Sequence, residues 1–104
     1  MENLKDKQLN KYHVTIYFEM DEQFMTLVPP HRLVINNLIE KNIIDTYSVS
    51  LDSQRSWIVI NAASKAEVRK ILSKSPLYKY WVIEVDDIIV YDGQIYRLPA
   101  LQLN

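Results

Sequence analysis

His31, with the tyrosines Tyr12 and Tyr47, is where this sequence has the means to move a proton near neutral pH. Histidine titrates closest to neutrality among ordinary side chains, and a phenol can donate to an oxygen that gains negative charge. His31 stands on the apolar side of the series Phe24, Leu27, Val28, His31, Ile35 and Leu38. The three- and four-residue spacing of that series predicts an amphipathic helix. Pro29 and Pro30 fall inside it. An interior proline costs about 3 kcal/mol and pushes the preceding residue out of helical angles. The pattern therefore predicts a short first turn, then a main helix from about Pro30 with His31 and Arg32 at its N-terminus. Free amides and the positive end of the helix dipole would favour an anion there and keep the imidazole neutral, ready to accept a proton.

His31 as a base competes with a structural reading in which a partner group simply satisfies the ring. Arg32 lies about 100° further round the helix and reads either as a contact for a carboxylate or as a solvent residue. Trp57 and Trp81 offer aromatic surface to a ligand. His13 alternates onto the polar side of a strand, where a cross-strand partner accounts for it as well as a cavity does. Glu84 and Asp86 share one strand face, as solvated or salt-bridging carboxylates or as an acid-base pair. No Asp/His/Glu spacing suits a metal, and there is no glycine-rich phosphate loop. Neither a metal nor any other cofactor is expected.

The elements that must position these groups follow from periodicity. Tyr12, Val14, Ile16, Phe18 and Met20 alternate with His13, Thr15, Tyr17 and Glu19, which predicts a half-buried strand after a loose arm over residues 1–11. Asp21 is the N-cap of the first helix, and Asn42 a left-handed stop. Residues 43–51 and 56–62 read as strands joined by the polar turn Asp52-Ser53-Gln54-Arg55. Ser64 and Glu67 form a capping-box pattern ahead of Val68, Ile71 and Leu72, and Ser75-Pro76 ends this second helix. A last strand is expected from about Lys79. Asp92-Gly93, with the chain's one glycine, predicts a tight hairpin, a short fifth strand and a C-terminal arm over residues 93–104.

The order β-α-β-β-α-β is ferredoxin-like: an α+β domain with two helices on one face of a four-stranded antiparallel sheet. The other face is left open. Tyr17, Tyr47, Val49, Trp57, Val59, Trp81 and Ile83 are read as an apolar patch there, too large for a monomer to expose comfortably.

The passage SPLYKYWVIEVDDIIVYD, residues 75–92, resembles the last helix-to-strand passage of the muconolactone isomerase family and its YciI-like relatives. Those proteins carry a leucine-proline-leucine-aromatic turn, then an aromatic residue, then an apolar strand with an acidic core, here Ile83-Glu84-Val85-Asp86. The resemblance runs over roughly residues 12–92. It implies a dimeric α+β barrel in which two sheets pack face to face, and cofactor-free proton transfer within a small lactone or carboxylate. By ungapped alignment Arg32 stands on the family's lysine position. Pro29, Pro30, His31 and Arg32 replace that family's charged run in the first helix, and Asp45, Thr46, Tyr47, Ser48 and Val49 replace a strand rich in Trp, His and Arg. The C-terminal tail either reaches a neighbouring subunit or packs on its own helices.

Composition bounds the rest. One domain of 104 residues, 48% hydrophobic, can bury a single core. A formal charge of -1 without a run of like charge argues against nucleic acid and against an anionic membrane surface. Recognition of RNA by this element order would need a basic sheet with stacked aromatics, and Arg55-Ser56-Trp57 lacks the glycine-aromatic motif. There is no cysteine, and the polar start of the chain has no apolar leader core, so a cytoplasmic protein is expected. The partners expected are a second copy of the chain, or a higher homo-oligomer, and a small molecule. That small molecule is either a substrate or the ligand of a non-catalytic binding or oligomerisation module.

Overall fold

Alternation sets the sheet, and a computed structural model, describing residues 9–92, shows its order. The elements are β1 (Asn10–Tyr17), α1 (Glu22–Glu40), β2 (Ile44–Ser50), β3 (Arg55–Ala62), α2 (Lys65–Leu72), a 3-10 turn (Tyr78–Tyr80) and β4 (Val82–Ile88). The strands form one sheet in the order β2-β3-β1-β4, with every neighbouring pair antiparallel. This is the ferredoxin-like arrangement. β1 begins at Asn10, two residues before the expected start, because Asn10 pairs with Ala62 and Lys11 with Ile88. The hairpin at Asp92-Gly93 and the C-terminal arm lie outside the described residues, as does most of the N-terminal arm.

The core lies between the helices and one face of the sheet. Val14, Ile16, Ile58 and Ile60 from the central strands meet Ile35 of α1 and Val68 of α2, all without solvent exposure. Each such aliphatic side chain contributes about 1.5–3 kcal/mol by leaving water. Phe18, just past β1, is buried too and stacks on Phe24 at 5.2 Å between ring centroids.

The expected break in the first helix does not occur. α1 runs without interruption through Pro29 and Pro30. The two missing amides would have bonded to the carbonyls of Met25 and Thr26, one helical repeat earlier. Met25, Thr26 and both prolines are exposed, so water can solvate the freed carbonyls, while the buried stripe Phe24, His31, Ile35 and Leu38 passes on the other side. His31 consequently sits about two and a half turns into α1 and not at its N-terminus. The helix start is closed by Asp21, whose Oδ1 accepts from Phe24 N at 2.7 Å.

Three other local expectations hold, one with a change. Asn42 takes the left-handed conformation, φ 61°, and ends α1. Ser64 Oγ accepts from Glu67 N at 3.1 Å, and Glu67 Oε1 accepts from Ala63 N at 2.6 Å, one residue earlier than in the reciprocal box. The β2–β3 connection turns through Gln54 at φ 54°. Before β4 the 3-10 turn replaces the strand expected from Lys79, and Tyr80 packs edge-on to Phe24 at 5.3 Å.

The open face differs from its expected composition. The β2–β3 register shifts between Ile44 and Thr46, so Asp45 forms a bulge. The extra residue reverses the phase of alternation downstream of it. Tyr47 then lies opposite Ile58 and Val49 opposite Ser56, both on the helix side. Ile83, opposite Ile16, is on the helix side as well, and Trp81 precedes β4. Of the expected patch Tyr17, Trp57 and Val59 remain on the open face, joined by Val82, among His13, Thr15, Glu84 and Asp86. The bulge is held by Lys11, which pairs with Asp45 and donates to Asn61 Oδ1 at 2.9 Å, while Asn61 Nδ2 donates to Asp45 Oδ1 at 3.1 Å.

Asn42→Val, which puts a β-branched side chain into a left-handed position, should cost about 1–2 kcal/mol in urea unfolding, and Asn42→Gly should cost nothing measurable.

Candidate functional site

A cavity of about 250 Å³ lies between α1, β2 and the segment that follows α2. Its walls are mainly apolar: Phe24, Met25 and Val28 from α1, Val49 from β2, and Leu77 and Trp81 from the segment before β4. Its polar side chains are His31, Arg32, Tyr47 and Ser56. α1 brings His31 and Arg32 there, and the bulge at Asp45 turns Tyr47 inward to meet them.

His31 is the centre of a short polar chain. Its Nδ1 lies 2.7 Å from Ser75 Oγ, and its Nε2 lies 2.8 Å from Tyr47 Oη. Ser75 Oγ also accepts from Leu77 N at 3.0 Å, the local turn expected of a serine just before a proline and the start of a 3-10 turn. His31 is 3% exposed and Ser75 4%, so both belong to the buried interior. The edge of the Trp81–His31 pair, 5.6 Å between centroids and nearly perpendicular, closes one side of the imidazole. Burial first, and the charge of Arg32 second, lower the His31 pKa to about 4. The ring is therefore neutral at pH 7, but for a different reason than the helix dipole expected from a start at Pro30.

Tyr47 carries the polar end of the cavity. Burial raises its pKa, and the charge of Arg32, together with the Arg32 and Ser56 side chains, acts in the opposite direction. The Arg32 guanidinium sits over the Tyr47 ring at 5.3 Å, and its Nη2 donates to Asn36 Oδ1 at 3.1 Å. Ser56 donates to the Ser48 carbonyl at 2.9 Å.

The structure thus brings together His31, Arg32, Tyr47 and Trp81, and leaves Tyr12 and Trp57 elsewhere. Tyr12 is buried near the far end of β1, where Asn10 Nδ2 donates to its hydroxyl at 3.5 Å. Trp57 is half-buried on the open face beside Thr15, and Glu84 lies there too, accepting from the Tyr17 hydroxyl at 3.2 Å. Among the described residues no three His, Cys, Asp or Glu side chains cluster as a metal site would require. Ser75 was visible in the sequence only as a helix stop. The serine-proline turn signalled its bond to Leu77, but nothing local signalled His31.

The crystal structure of muconolactone isomerase at 3.3 Å resolution superposes on 82% of this chain and 94% of that one, with a TM-score of 0.64 and 20% sequence identity. The chain has a muconolactone isomerase-like fold. No protein-family model matches the sequence, and no curated protein matches it. The muconolactone isomerase-like fold accounts for the β-α-β-β-α-β order and for the helices gathered on one face of the sheet. The polar chain Ser75–His31–Tyr47 is a property of these residues themselves.

Because the folded protein resists protonation of His31, acid should weaken it. The unfolded ring takes up a proton near pH 6.5 and the folded one only near 4, so this contribution is complete above pH 6.5 and is lost as the pH falls toward 4. Its size is on the order of 3 kcal/mol. Urea midpoints between pH 4 and 7.5 should fall more steeply for the wild type than for His31→Gln, with the difference between the two isolating His31 from His13.

Proposed function

We propose that the cavity between α1 and the sheet binds a small, largely apolar molecule carrying a carbonyl or carboxylate oxygen, of the lactone, unsaturated-acid or aromatic-acid class. The observation that carries this reading is the His31–Tyr47 bond of 2.8 Å opening onto an otherwise apolar cavity. Pockets for small molecules are commonly apolar chambers with a few placed polar groups. Tyr47 offers an acceptor atom of the ligand a hydroxyl, Arg32 offers a carboxylate a cation, and Trp81, Val28 and Leu77 surround the apolar body. No cofactor is called for.

A second reading, cofactor-free proton transfer on the bound molecule, is favoured by the same bond. A neutral imidazole hydrogen-bonded to a phenol can supply or withdraw a proton through the hydroxyl as charge develops on a substrate oxygen. Both ring nitrogens of His31 are engaged, so any proton would pass by way of Tyr47 and not directly to the ring. The muconolactone isomerase-like fold supports this chemistry only by analogy of architecture.

The sheet face that no described element covers supports association of two copies through Tyr17, Trp57 and Val82. Glu84 and Asp86 on that face weigh against a phosphate backbone as the alternative partner. Among the described residues no helix is long and apolar enough to cross a membrane.

A thermal-shift screen with butenolides, unsaturated carboxylates and substituted benzoates should find stabilising molecules. Val28→Trp, which fills the cavity from α1, should abolish that stabilisation while far-ultraviolet circular dichroism stays unchanged. If the screen's hits stabilise Val28→Trp equally, this cavity is not their site. Turnover of a hit, followed by ultraviolet absorbance, would select the proton-transfer reading. On the open face, Trp57→Glu should reduce the mass seen by light scattering from that of a dimer to that of a monomer, while an unchanged dimer would place the interface elsewhere.

A further inference from the structure

Hydrogen-bond accounting along Ser75–His31–Tyr47 gives the chain a direction. Ser75 Oγ already accepts from Leu77 N at 3.0 Å, and its second neighbour is His31 Nδ1 at 2.7 Å. The hydroxyl has one hydrogen to give, and Ser75 is buried. If Nδ1 carried the ring proton, Ser75 would accept twice and its own hydrogen would have no acceptor among the described residues. An unsatisfied buried donor is costly. The satisfied arrangement has Ser75 donating to Nδ1, with the single ring proton of the neutral imidazole on Nε2. Nε2–H then donates to Tyr47 Oη across 2.8 Å.

The consequence falls on Tyr47. Its oxygen is occupied as an acceptor, and its own hydrogen is not taken by any hydrogen bond among the described residues. Ser56, on the cavity wall, spends its own hydrogen on the Ser48 carbonyl. Arg32, on the same wall, can only donate. We infer that the buried Ser75–His31–Tyr47 chain aims the Tyr47 hydrogen into the cavity, so that its polar end donates and selects ligands by an acceptor oxygen, rejecting amines of the same shape, which are protonated at pH 7 and have no lone pair to offer. Ser75, outside the cavity, is thereby a positioning residue for specificity. The selectivity rests on the cavity-binding reading above, whereas the direction of the chain does not.

The test has two arms for that reason. In protein labelled with ¹⁵N, long-range proton–nitrogen correlations at pH 7 report the tautomer of His31, assigned by its loss in His31→Gln. The proposal expects protonation at Nε2, and protonation at Nδ1 overturns it without any ligand. In the second arm, acetophenone and benzoate are titrated beside 1-phenylethylamine, following the amide shifts of Tyr47 and Trp81. Acetophenone and benzoate should bind, and Tyr47→Phe should weaken acetophenone about tenfold, as loss of one hydrogen bond does. Equal or tighter binding of the amine overturns the selectivity. If none of the three probes binds, the cavity reading falls together with the selectivity built on it, while Nε2 protonation still upholds the direction of the chain.

Discussion

Two hydrogen bonds on one imidazole tie together parts of this protein that are distant in sequence. His31 comes from the middle of α1, Tyr47 from β2 and Ser75 from the turn after α2. Each bond adds only about 1 kcal/mol net, but a lost partner leaves a buried polar group that costs about 1–3 kcal/mol. That asymmetry makes the three residues an all-or-none set. The burial that makes the set expensive to break also keeps the imidazole neutral, and only a neutral ring can pass a hydrogen bond from one neighbour to the next.

The set exists because the chain departs twice from regular geometry. Without the bulge at Asp45, alternation through β2 would turn Tyr47 to the open face, away from α1. Lys11 of β1 and Asn61 of β3, neither of them in the cavity, hold the bulge. The second departure is the proline pair. By continuing through Pro29 and Pro30, α1 keeps Phe24 and Val28 in phase with His31, and all three face one cavity. A break there would have rotated the early turn independently of the rest.

What could be read from the sequence was whatever local chemistry determines. The strand alternation of β1, the Asp21 cap, the left-handed stop at Asn42 and the Ser64–Glu67 pair each depend on residues within a few positions of one another. Their sum gave the ferredoxin-like order. His31 was also legible as the group to watch, since a histidine on an apolar stripe must meet something. Its partners were not, because Ser75 and Tyr47 reach it only through the packing of separate elements. The phase of Tyr47 was hidden for a related reason: a bulge is fixed by the partner strand's side chains, and no alternation within β2 reports it. The prolines misled because their cost depends on whether water reaches the freed carbonyls, which is a fact of burial and not of sequence.

The two tryptophans of the chain stand in unrelated surroundings. Trp81 lines the cavity against the imidazole, and Trp57 lies on the sheet face opposite the helices. Their indole fluorescence therefore comes from two places that experience different events. A molecule entering the cavity alters the neighbourhood of one, and a surface pressed onto the sheet alters that of the other. Replacing either tryptophan with phenylalanine leaves a single indole, so that each of the two places can be watched by itself without any added dye.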